Sequence, residues 1–103
     1  MVLANVAVAG DRQLKALIVG TWTDHWCDGN ASTVVFQSDG KHIIDGEDVG
    51  RWDVQGGKFI EIRAHGITPV TCSILFLTKR EFLAREDGHD EPYMFLMRPV
   101  PEP

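Results

Sequence analysis

The stretch Asp11-Arg12-Gln13-Leu14-Lys15-Ala16-Leu17-Ile18-Val19-Gly20-Thr21-Trp22 contains a change of hydrophobic period, and that change decides the fold. Leu14, Leu17 and Ile18 recur at helical spacing, Asp11 stands where an N-cap is expected, and Gly20 ends the segment. A helix of about two turns is therefore predicted over residues 11–19. After Gly20 the apolar positions recur every second residue, and turn signals arrive at short, regular intervals. That is the pattern of an all-β barrel or sandwich.

Strands are predicted over residues 21–26, 32–37, 41–45, 50–55, 58–64, 70–77, 81–86 and 93–98. Asp39-Gly40 and Gly56-Gly57 read as tight hairpin turns, and Thr78-Lys79-Arg80 as a third. Every connection is shorter than the dozen or so residues that a parallel crossover needs. The prediction is an all-β, eight-stranded antiparallel up-and-down meander barrel with a short N-terminal helix. Closure removes the exposed sheet edges. The barrel domain spans 11–98. Residues 1–10 precede it, and residues 99–103 form a tail whose three prolines cannot continue a ladder. Alternation points Val34, Phe36, Ile44, Trp52, Val54, Ile60, Ile62, Val70, Cys72, Ile74, Phe76, Phe82 and Ala84 inward. His42, at the start of the third strand, is expected to be exposed.

A short helix, then Gly20-x-Trp22 on the first strand, then a β-meander, resembles the lipocalin and wider calycin group, in particular its compact bacterial members. The resemblance implies that Trp22 closes one end of the barrel and that Arg98, at the end of the last strand, packs across it. An arginine over an indole is a favourable cation–π pair. The Gly50-Arg51-Trp52 segment and the Gly-Gly hairpin fit the same compact pattern. The strands are shorter than those of full-length lipocalins, and no long lid loop follows the first of them. A shallow or largely filled interior is expected.

Composition narrows the function classes. The chain has 103 residues, 44% of them hydrophobic, which suits a single domain with one core. Its formal net charge of −5 argues against nucleic acid and against an anionic membrane surface. No apolar run reaches the roughly 18 residues of a membrane helix. Residues 1–9 are small and apolar and end in Ala7-Val8-Ala9, which resembles the close of a signal peptide, although a basic leading region is missing. Export to the periplasm or beyond is the expectation, and a cytoplasmic protein with an N-terminal edge strand is the alternative. Cys27 and Cys72 match neither a zinc-ribbon nor a C-x-x-C spacing. They are either a disulfide, worth about 3–4 kcal/mol, or two separate thiols.

In a meander the connections alternate between the two ends. With Trp22 at the closed end, the loops after strands one, three, five and seven gather at the other end, the mouth. They carry Asp24, His25, Cys27, Asp28, Asp45, Glu47, Asp48, His65, Glu86, Asp87, His89, Asp90 and Glu91, whereas the closed end carries Arg12, Lys15, Lys41, Lys58, Lys79 and Arg80. The first functional expectation is a small apolar or amphipathic ligand entering at the mouth, against Trp26, Phe36, Trp52, Ile62 and Phe76. The second is a protein-interaction or inhibitor module whose acidic mouth meets a basic partner. The third is divalent-metal binding by Asp24, His25, Cys27, Asp28, His65, His89 and Asp90. Ser32, Ser38 and Ser73 lack a glycine elbow, and no catalytic set or cofactor motif is found.

Overall fold

Helix α1 (Asp11–Ile18) buries Leu14 and Ile18 on the barrel and keeps its polar residues outward. Asp11 does not cap the helix, because the cap position is Gly10. Its carboxylate instead accepts the backbone N–H groups of Gly56 (2.9 Å) and Gly57 (2.8 Å). That contact pins the helix to a hairpin far along the chain. The structure, a computed structural model, describes residues 10–25, 29–64 and 68–98.

Eight strands follow: β1 (Gly20–His25), β2 (Ala31–Phe36), β3 (Lys41–Ile44), β4 (Glu47–Gln55), β5 (Lys58–Arg63), β6 (Val70–Leu77), β7 (Glu81–Glu86) and β8 (Met94–Met97). Each pairs antiparallel with the next, and β8 returns to β1 through Thr23↔Met97 and Asp24↔Leu96, closing the barrel. The expected architecture is therefore the observed one. β4 begins three residues earlier than expected, because Asp45-Gly46 forms a two-residue turn that brings Glu47 opposite Ile44. The ladder shifts at Val49, which has no partner between Asp48 and Gly50.

The closed end is built as the resemblance implies. Arg98 lies over the Trp22 ring with its guanidinium carbon 3.8 Å from the centroid. Its N–H groups donate to the carbonyls of Val19 (2.7 Å), Ile18 (3.2 Å) and Lys79 (3.3 Å). Trp22 itself donates from Nε1 to the Ile18 carbonyl at 2.8 Å. One indole and one guanidinium thus supply donors to the Ile18 and Val19 carbonyls at the helix C-terminus, which would otherwise be orphaned. Gly20 permits the approach. Its φ of 130° is a glycine conformation, and a Cβ there would stand 2.9 Å from Arg98 Nη2.

Above this plug an aromatic cluster fills the closed half of the barrel. Phe36 packs edge-on against Trp52 (5.4 Å), Phe59 (5.5 Å) and Phe82 (6.4 Å), and Phe59 packs edge-on against Phe82 (5.3 Å). Such edge-to-face pairs add about 0.5–1.5 kcal/mol each beyond area burial. Phe36, Phe59 and Phe82 are completely buried.

Three inward assignments, Ile60, Ile62 and Phe76, are corrected. Ile60 and Ile62 point away from the core, and Ile62 is 41% exposed; Phe59 and Glu61 point inward. The two-residue Gly56-Gly57 loop sets Gln55 opposite Lys58, hence Val54 opposite Phe59 and Trp52 opposite Glu61. Because Trp52 and Val54 are inward, the register obliges Phe59 and Glu61 to be inward as well. On β6 the pairing shifts between Ile74 and Phe76, a bulge that leaves Leu75 unpaired. Leu77 is therefore buried opposite Phe82, and Phe76 moves to the outer face, where it pairs with Leu83.

His42 is also corrected, from exposed to 3% exposed. The three-residue loop Ser38, Asp39 and Gly40 sets Gln37 opposite Lys41, so His42 falls opposite inward Phe36 and shares the face of Ile44, two residues on. The division into a basic base and an acidic mouth is less clean than expected. The stagger of the strands brings Lys58, from the β4–β5 hairpin, onto Ser73 (2.9 Å) and onto Asp87 (3.1 Å), just beyond β7.

Candidate functional site

The aromatic cluster stops halfway up the barrel. Toward the mouth the strands enclose a cavity of about 800 Å³. Its apolar wall is Val34, Ile44, Val49, Ala64, Met94 and Leu96, and its polar wall is Asp24, His42, Glu47, Asp48, Glu61, Arg63 and Tyr93. The expectation of a shallow or largely filled interior holds for the closed half only.

The polar wall is assembled by strands that are not neighbours. Tyr93, which leads into β8, donates its hydroxyl hydrogen to Glu61 Oε2 on β5 at 3.3 Å. Arg63 donates from Nη2 to the Tyr93 hydroxyl oxygen at 2.6 Å and from Nε to Glu61 Oε1 at 3.4 Å. The three side chains close a triangle across the barrel. Glu61 is only 8% exposed, and a carboxylate at that depth needs both partners. Burial raises the Tyr93 hydroxyl above its ordinary value, the Arg63 hydrogen bond opposing.

His42 stands beside this triangle and differs from it. Its ring stacks on Phe36 with centroids 4.8 Å apart. Both ring nitrogens are buried, and neither has a hydrogen-bond partner. Burial lowers its pKa below the ordinary 6.5; Glu61 and Asp48 pull upward, and Arg63 pushes downward. The imidazole is therefore neutral at neutral pH, with one N–H and one lone pair uncommitted. Asp24 faces the same cavity from β1, and burial raises its carboxyl above the ordinary carboxylate value.

The sequence-predicted residues are distributed as follows. Phe36 and Trp52 are buried in the aromatic cluster below the cavity, with Trp52 donating from Nε1 to the Gln37 carbonyl at 2.9 Å. Ile62 and Phe76 lie on the outer face, and Trp26 lies outside the described residues. Of the metal-ligand set, Asp24 lines the cavity, whereas His25 and Asp90 are exposed and His89 sits at the surface 3.5 Å from Glu86. Asp28, His65 and Cys27 lie outside the described residues. Among the described residues no group of three His, Cys, Asp or Glu side chains could hold a metal ion. Cys72 is completely buried opposite Phe59, and burial pushes its thiol up to about 12. Among the described residues no helix is long and apolar enough to cross a membrane.

Sequence reading missed His42, Glu61, Arg63 and Tyr93. The hairpin register was the available signal for Glu61, and the loop length for His42. The meeting of Glu61 with Tyr93, on strands that are not neighbours, follows only from closure of the barrel. Compared with family models, with curated proteins and with solved structures, the chain finds no match.

Proposed function

We propose that this chain is a small, exported, lipocalin-like binding domain without enzymatic activity, which takes a small amphipathic ligand at the mouth of its barrel. The observation that carries the reading is the division of the interior. A solid aromatic half supplies stability, and a half-open cavity of about 800 Å³ remains above it, with one apolar and one polar wall. Small-ligand sites have this size and this mixture of surfaces. The closed end, with Arg98 over Trp22 and a helix sealing the base, supports the resemblance to the calycin group. Ala7-Val8-Ala9 supports export.

The test is titration of the full chain with the neutral amphipathic dye N-phenyl-1-naphthylamine. Enhanced, blue-shifted emission that saturates at one dye per chain, and is competed by octanol, is the expected result. No enhancement at any protein concentration below aggregation refutes the proposal.

A further inference from the structure

Resting on that reading, we infer that the polar wall selects the head group of the ligand and that this head is a protonated primary or secondary amine carried on an apolar tail. Among the described residues the cavity is bordered by four carboxylates, Asp24, Glu47, Asp48 and Glu61, and by one guanidinium, Arg63. Their summed charge favours a cation and penalises a carboxylate or phosphate head. Acidic residues alone specify no geometry. The second element is His42, 3% exposed and lining the cavity, with neither ring nitrogen bonded. An unbonded buried polar group is costly, and a ligand N–H relieves that cost at the acceptor nitrogen of the ring.

The chemistry of the two groups is complementary. A carboxylate accepts only, and a neutral imidazole accepts at one nitrogen, so an ammonium head can donate to Glu61 and to His42 together. His42 is kept neutral by burial; the charged groups acting on it are Glu61 and Arg63 from β5 and Asp48 from β4. Arg63 is the internal competitor for Glu61. Its side chain is 59% exposed and its contact to Glu61 is long, 3.4 Å, while its Nη2 bond to the Tyr93 hydroxyl is short, 2.6 Å; swinging the arm outward breaks both, and the incoming ammonium replaces the bond to Glu61. Both His42 nitrogens are shielded from solvent, so the imidazole or its neighbours must shift for the head group to bond it. The apolar wall of Val34, Ile44 and Leu96 then takes the tail.

The experiment displaces the bound dye with four eight-carbon ligands at neutral pH: octylammonium, octyltrimethylammonium, octanol and octanoate. Octylammonium is expected to bind about tenfold tighter than octanol, the size of effect that a charge-assisted hydrogen bond provides. Octanoate is expected to be the weakest. Octyltrimethylammonium, a cation without an N–H, is expected to bind more weakly than octylammonium while staying above octanoate. His42→Phe keeps the stacked ring and should weaken octylammonium several-fold toward octanol, the bond to Glu61 remaining. Arg63→Ala should raise octylammonium affinity by about threefold, because a competing cation has been removed.

Octanoate binding as tightly as octylammonium, or equal affinity for all four heads, overturns the head-group assignment while leaving the binding reading in place. An octylammonium affinity unchanged in a folded His42→Phe variant overturns it too. Failure of the dye and of all four ligands to bind overturns the binding reading and the assignment together.

Discussion

Replacing His42 by phenylalanine should make the protein more stable, although it removes a side chain that lines the candidate site. The imidazole is 3% exposed, and neither nitrogen is hydrogen-bonded. A neutral ring brings one donor and one acceptor out of water without return. Each such group costs about 1–3 kcal/mol, and phenylalanine carries neither. The ring stack on Phe36, at 4.8 Å, has room for a benzene ring of similar outline. Allowing about 1 kcal/mol for fitting the slightly larger ring, the net gain is about 1–5 kcal/mol. In a domain of this length even the lower end raises the melting temperature by about 4–8 °C. Thermal unfolding followed by far-UV circular dichroism at pH 7.5 measures it. A lower melting temperature for His42→Phe, with the β-sheet spectrum intact, would refute the reasoning.

The same substitution has a signature in pH. The folded state holds His42 below its ordinary 6.5, so the unfolded chain binds the proton more readily. That contribution to stability is fully present above pH 6.5 and is lost as pH falls from there toward the depressed folded value. The wild-type protein should therefore lose stability below about pH 6.5 more steeply than His42→Phe. Parallel curves for the two proteins through that range would contradict the burial of a neutral imidazole.

Four further outcomes are expected. Gly50→Ala should destabilise severely, by about 4 kcal/mol or more, because at φ 144° its Cβ would collide with the Ile62 carbonyl oxygen; urea unfolding measures it. Arg98→Ala should cost about 2 kcal/mol through lost carbonyl hydrogen bonds and the indole contact, and should shift Trp22 emission; an unchanged urea midpoint would show the guanidinium to be idle. Asp11→Ala should cost about 1 kcal/mol and accelerate amide exchange at Gly56 and Gly57, whose N–H groups it now accepts. In a Cys27→Ser background, Cys72, its thiol pushed up to about 12 by burial, should resist iodoacetamide at pH 8 until urea unfolds the barrel; rapid alkylation of the native protein would contradict its position.

The fold was legible because its signals are local. Eight alternating runs joined by short turns leave a meander as the simplest arrangement, and Gly20, Trp22 and Arg98 mark which end is sealed. The site was less legible because it depends on single-residue counts. The 38–40 loop sets His42 opposite Phe36, so a polar ring takes the inward face it shares with Ile44. The Gly56-Gly57 hairpin turns Glu61 inward, against the pull of two isoleucines that suggested the opposite face. The bulge at Leu75 leaves no mark in a sequence where Ile74, Leu75, Phe76 and Leu77 are all apolar. In each case register, not hydrophobicity, decided which face a side chain took.

The Glu61–Tyr93–Arg63 triangle joins strands that share no ladder, so it braces the barrel across its width. Tyr93 is also the only tyrosine in the chain. Its phenol is thus a built-in gauge of the mouth's cross-section. Whatever moves Glu61 or Arg63 alters the hydrogen bonds at that one oxygen, and ultraviolet difference spectroscopy reads the change, over the signal of the three tryptophans, without attaching a label.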